Sequence, residues 1–150
     1  MHSLGGNKLK DEGTEIVCNA LKESKVSKLT ELLLHNNGIT AAGAESVAAY
    51  LAVTTSLTEC NVRDNKLDNE SATVLTKISA PKGIMLFGIK HGQRRADFHS
   101  SGLGPVDAIL IANDLLVSTS LTSLSLGDNP FGDEGVEKLS IGLKESKSLT

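Results

Sequence analysis

LTELLLHNNGIT (residues 29–40) decides how the rest of the chain is read. Leu29, Leu32 and Leu34 recur as in a short strand with one inward face, Asn37 follows, and Ile39 resumes the apolar pattern before a helix-like run. LTECNVRDNKL (57–67) repeats the arrangement through Leu57, Cys60, Val62, Asn65 and Leu67, and LTSLSLGDNPF (121–131) through Leu121, Leu124, Leu126, Asn129 and Phe131. HSLGGNKL (2–9) supplies the second half of another through Leu4, Asn7 and Leu9. Asn7 to Asn37 is 30 residues, Asn37 to Asn65 is 28, and Asn65 to Asn129 is 64, or two periods of 28 plus 8. Repetition at this period signals stacked supersecondary units.

The segments after each Asn match as well. The tenth residue is Val17, Val47, Leu75 and Leu139, and the fourteenth is Leu21, Leu51, Ser79 (beside Ile78) and Leu143. Residues four apart share one helix face. Each unit therefore reads as strand, turn, helix and return loop. The bend from strand to helix leaves backbone N–H and C=O groups that are costly when unpaired. An Asn side chain is both donor and acceptor, so Asn7, Asn37, Asn65 and Asn129 are expected to form a structural ladder.

The motif L29-T-E-L32-L-L34-H-N-N37-G-I39 resembles the leucine-rich repeat family in its ribonuclease-inhibitor-like class, and is similar to the repeat regions of NOD-like receptors and Ran GTPase-activating proteins. The resemblance covers essentially the whole chain. It implies an α/β leucine-rich repeat solenoid, with a curved parallel sheet on the concave side and helices on the convex side. Function lives in surface sites and not in the scaffold.

About five repeats are expected within one domain, 1–150: approximately 1–28, 29–56, 57–83, an insert 84–92, 93–120 and 121–148. The fourth is irregular. SGLGPVDAILIANDLLVSTS (101–120) fits turn, helix and return loop, which puts its strand at 95–99; yet IMLFGI (84–89) also reads as a strand motif. A parallel crossover needs about a dozen or more residues, and only KHGQ separates Ile89 from the next strand-like run. Residues 95–99 are therefore assigned to the main sheet and 84–90 to an antiparallel hairpin partner. Met1 falls in mid-strand and SLT (148–150) opens a sixth repeat, so the chain reads as a fragment of a longer array. Uncapped ends of such arrays favour self-association.

Composition narrows the function. The chain has 150 residues, 39% hydrophobic, 22% charged and 3% aromatic, with a net charge of −3. That balance disfavours nucleic acid and anionic membranes as partners. No apolar run is long enough to span a bilayer, and two cysteines suit a reducing, cytoplasmic setting. No nucleophile elbow, P-loop, HExxH or CxxC is present. GLGPVD (102–107) is explained as a turn with Pro105 opening a helix. His35 and His99 stand too far apart to share a metal ion, so no enzyme activity, cofactor or metal is expected. Cys60 fills an inward leucine slot.

The outward strand positions remain. They form columns bearing Glu31, Leu33, His35, Arg63, Asp64, Arg94, Arg95, Asp97 and His99, with His35, Arg63 and His99 in one line and the insert emerging beside them. Such a mixed-charge surface suits a protein or peptide partner. The alternatives are a regulator of a small GTPase, or an architectural spacer of a larger receptor or cytoskeletal protein.

Overall fold

The computed structural model describes residues 2–24 and 28–149. The expectations attached to Met1, to Thr150 and to the return stretch 25–27 lie outside the described residues. Within them, short strands alternate with helices: β1 (His2–Ser3), α1 (Lys10–Glu23), β2 (Glu31–Leu33), α2 (Ala41–Val53), β3 (Glu59–Asn61), α3 (Asn69–Ser79), β4 (Arg95–Asp97), α4 (Pro105–Val117), β5 (Ser123–Ser125) and α5 (Gly132–Glu145), with a 3-10 turn at Ala80–Lys82. The architecture is α/β. Every strand pairing is parallel, and each helix packs on the next in chain order. The core lies between strands and helices, and the repeated apolar positions fill it: Leu34, Val47, Leu51, Cys60 and Leu75 are all fully buried. Leu143 departs from the pattern and is exposed.

The lone asparagines sit where each strand bends away. Asn37 Oδ1 accepts from the Asn7 and Leu9 N–H groups at 2.9 and 3.2 Å, while its Nδ2 donates to the Leu4, Leu34 and His35 carbonyls. Asn65 repeats this one unit on, accepting from Asn37 and Ile39 at 3.0 Å each. Asn129 does the same for Ser101 and Leu103. Each side chain thus closes its own turn and the preceding one.

The strand layer is broken where the period gains its extra residues. β1, β2 and β3 form one sheet, and β4 and β5 form a second. The expected pairing of 95–99 with the third strand is therefore corrected. The segment 84–89 lies there instead: Cys60 and Val62 donate to the Met85 and Leu86 carbonyls at 2.8 and 2.9 Å, and Met85 donates to Thr58 at 2.9 Å. This bridge is parallel, not the antiparallel hairpin inferred from the short KHGQ turn. The crossover argument failed because Ile84 follows a complete helix, α3, which itself supplies the parallel return; it is β4 that leaves the sheet. Nor does the insert project outward. Ile84, Met85, Leu86, Phe87 and Ile89 are at most 1% exposed.

Helix α2 shows how strongly the units depend on each other. It has no acidic residue in its first turn and no basic residue in its last, so it lacks charges of its own to offset the helix dipole. Its neighbours provide both. Asp11 of α1 accepts from Thr40 N–H, Thr40 Oγ1 and Gly43 N–H at 2.8, 2.7 and 3.0 Å. Lys82 Nζ donates to the Leu51, Ala52 and Thr54 carbonyls at 2.7, 2.6 and 3.0 Å at the other end.

Two outcomes follow from these contacts. Asn37→Ala strips bonds from two turns at once and lowers stability by about 1–3 kcal/mol, read as a drop in urea midpoint with unchanged slope. The hydrogen bonds from Thr40 hold the Asp11 carboxyl below its usual range. Its stabilisation is therefore present at neutral pH and lost as pH falls through the lowered value. Asp11→Asn should match wild type at the acid end of a pH–stability series and fall below it near neutrality.

Candidate functional site

Side chains of a strand alternate between the core and the outer face. In β2, Leu32 is buried while Glu31 and Leu33 stand half-buried on the outer face; in β4, Ala96 is buried while Arg95 and Asp97 are exposed. Parallel register lines these positions up. Leu33 lies beside Asn61, Glu31 beside Glu59, Arg95 beside Ser123 and Asp97 beside Ser125.

The nine expected surface residues do not form one column. Glu31, Leu33, His35, Arg63 and Asp64 belong to the first sheet and its turns; Arg94, Arg95, Asp97 and His99 belong to the second. The straight line through His35, Arg63 and His99 is corrected, because β3 and β4 are not hydrogen-bonded neighbours. Phe87 of the insert touches both halves. The Arg63 guanidinium lies 5.8 Å from its ring centroid, a cation–π contact, and the Phe98 ring meets it edge-on at 5.1 Å.

The two histidines share a setting. The His35 ring occupies the space that a Cβ on Gly5 would need, and the His99 ring does the same over Gly127. A glycine in the neighbouring unit thus gives each ring a flat seat. His35 Nδ1 is buried without a hydrogen-bond partner among the described residues. His99 Nε2 lies 3.3 Å from Asp128, and Asp97 accepts from the His99 N–H at 3.1 Å. That bond, first among the causes, holds the exposed Asp97 carboxyl below its ordinary range. Arg63 pairs with Asp64 at 2.9 Å, an exposed contact of little energetic weight.

Asp64 has a backbone reason to be where it is. Asn36, Asp64, Ser100 and Asp128 precede the turn asparagine or its equivalent, Ser101, and all have positive φ, from 51 to 56°. Asn and Asp enter that left-handed region more readily than most residues. The polarity of this column follows from the turn.

Three residues were missed by sequence reasoning. Glu59 occupies an outward motif position yet is only 5% exposed, because the insert covers it; burial pushes its carboxyl upward, opposed chiefly by Lys90. Phe87 looked like one more apolar residue. Asp114, within α4, is fully buried and accepts from the Leu86, Phe87 and Ile89 N–H groups at 2.6, 3.0 and 3.3 Å. Beside it, Asn113 donates to the Ile84 carbonyl at 3.1 Å and accepts from Ser79 at 2.9 Å. The signal available was the N-D pair inside the otherwise apolar run AILIANDLL (108–116).

Among the described residues no cluster of metal-ligating side chains is present. Cys18 and Cys60 are free and fully buried; desolvation pushes the Cys18 thiol up to about 11 and the Cys60 thiol higher still. No helix of the described residues is long and apolar enough to cross a membrane.

A family described as Leucine Rich repeat matches residues 27–48 and 117–140. Over 143 residues, 95% of this chain, the sequence is 34% identical to NACHT, LRR and PYD domains-containing protein 5 of Homo sapiens, covering 11% of that protein. It is 32% identical to the ribonuclease inhibitor of Mus musculus over 143 residues, 95% of this chain and 30% of the relative. The chain thus spans less than a third of the length of these relatives. Among solved structures, Leiomodin-1 Actin-Binding Site 2 (ABS2) superposes with a TM-score of 0.52 over 96% of this chain and 80% of that one, at 15% identity, a likeness of fold alone.

Asp114 gives the test of how the surface is supported. Asp114→Ala leaves three backbone donors of the insert unbonded and should cost about 3 kcal/mol or more, with the Phe87 and Phe98 ring resonances losing their mutual shift. Burial pushes the Asp114 carboxyl up from 3.8 to about 7. Between those values the unfolded chain binds fewer protons, so this group's contribution declines as pH rises. The margin of wild type over Asp114→Asn should be widest near the lower value and narrowest near the upper.

Proposed function

The chain is a leucine-rich repeat protein similar to ribonuclease inhibitor, and from that premise we propose that it is a protein-interaction scaffold whose strand face binds a protein or peptide. The finer form of the reading is a solenoid of about five units with that face concave. The carrying observation is the register: outer-face side chains stand beside fixed partners on parallel strands, about 4.8 Å apart. Side chains held by a rigid sheet lose little freedom on binding.

The proposed contact set is Glu31, Leu33, His35, Arg63, Arg94, Arg95, Asp97 and His99, with Asp64 lending charge from its turn. Phe87 supports it by holding the Arg63 guanidinium over the junction of the two sheets. The preferred partner surface carries acidic groups toward Arg63 and Arg95. The ribonuclease inhibitor of Mus musculus is by its name a protein directed at another protein, and that general mode is what this reading takes from it. The role needs no catalysis. Free, buried thiols fit a cytoplasmic setting. Val136 and Leu143 stand exposed on α5, which supports self-association as a further property of this scaffold.

Display selection against the strand face, using acidic peptides, supplies a ligand whose affinity can be followed. Arg63→Glu combined with Arg95→Glu should weaken that ligand about tenfold or more and flatten its salt dependence, with the melting curve unchanged. Binding that survives with the same salt dependence places the partner elsewhere. Loss of folding instead would mean that these arginines do more than face solvent.

A further inference from the structure

The outer side of the helix layer carries a second feature, remote from the strand face. A cleft of about 330 Å³ runs between α3 and α5, with α4 as its floor. Its origin lies in packing. Helix α5 sits tightly on α4 because Gly142 faces Ala112, where an added Cβ would come within 2.8 Å of the Ala112 Cα. Helix α3 belongs to the unit before the insert, and the segment 84–89 occupies the strand layer between β3 and β4. Helices α3 and α5 both pack on α4 from opposite sides, so they face each other across it with the cleft between them. An Asn69 Nδ2 bond to Glu134 Oε2 at 2.7 Å ties the two rims at one end.

The lining is apolar by construction. Ile109 and Leu116 form the floor and Ile141 one wall. Thr73 and Thr76 on the opposite wall turn their hydroxyls onto the Asn69 and Thr73 carbonyls at 2.7 and 2.9 Å. Asn113 spends its side-chain amide on Ile84, Asp114 and Ser79. The hydroxyl protons and the side-chain amide of the lining are thus already engaged within the protein. The charged exceptions are Lys77 from α3 and Lys138 from α5, and the lining contains no acidic residue, although the chain as a whole has a net charge of −3.

We propose that this cleft binds a single-chain anionic amphiphile, a fatty-acid carboxylate, with its hydrocarbon over Ile109, Leu116 and Ile141 and its head group at Lys77 and Lys138. The size admits this class. About 330 Å³ is near the lower end of the roughly 300–1,000 Å³ found for small-molecule sites. The apolar tail matches the lining, and the two lysines among the lining residues match the sign of the head group.

The test is a titration of the ¹⁵N-labelled 150-residue chain with decanoate, decanol and decyltrimethylammonium, each below its micelle concentration. Decanoate should give saturable, one-site shifts confined to amides of α3, α4 and α5 around Ile109, Ala112 and Ile141. Decanol should bind more weakly, and the cationic amphiphile should not compete. Lys77→Gln with Lys138→Gln should weaken decanoate about tenfold, the scale of two exposed charge pairs, while leaving decanol unchanged. Lys77→Glu with Lys138→Glu should reverse the preference toward the cationic amphiphile. Ile141→Asp, at an exposed position, should abolish decanoate binding with an unaltered melting curve. Equal affinity for decanoate and decanol would overturn the proposal. So would unsaturable shifts spread over the surface, or capture of an acidic amphipathic peptide at this cleft in place of decanoate.

Discussion

Every unit of this chain has to solve the same problem, the bonding of backbone groups released where a strand bends toward its helix. A lone side chain at that corner carries the solution. Asn37, Asn65 and Asn129 each accept from two N–H groups of the unit before and donate to carbonyls on both sides. A buried donor left alone costs about 1–3 kcal/mol, so the units are joined by necessity as well as by apolar contact. At the insert the pattern lacks its asparagine, and Asp114 reaches from α4 to accept from 86, 87 and 89 instead. The same need is met by a different residue arriving from a different direction.

That substitution explains how much the sequence could reveal. The unit structure was legible because it rests on local chemistry repeated at a fixed distance: Leu32, Leu34 and Asn37 say the same thing as Cys60, Val62 and Asn65. The broken unit was only half legible. Two segments, 84–89 and 95–99, carried the same strand pattern, and the one closer in sequence to the preceding helix took the sheet position. The segment that took it is held by a buried carboxyl group far along the chain. Asp114 has no periodic signature, and a helix position facing the core gives no local hint that its partner is a loop backbone.

The candidate surface was legible in the same uneven way. Alternation along β2 and β4 assigned Glu31, Leu33, Arg95 and Asp97 to the outer face. It could not show that Glu59 would be covered, that Phe87 would bridge Arg63 and Phe98, or that the residues would fall into two groups. Those are consequences of where the insert lies. The helix layer, in contrast, runs on unbroken past the split strand layer. It keeps continuity by sharing charges between units, as the two ends of α2 show.

The left-handed turn before each asparagine has a further consequence. Gly6, Asn36, Asp64, Ser100 and Asp128 all occupy it, and a bulky or β-branched residue there would be strained. One column of the outer surface is thus written in a small alphabet of Gly, Asn, Asp and Ser. Such a column can change its charge by a single Asn–Asp exchange, whereas an aromatic anchor there would come at a cost in backbone strain. Diversification of recognition among proteins built this way is therefore channelled into the strand positions beside it, while the turn column supplies little more than a switchable electrostatic background.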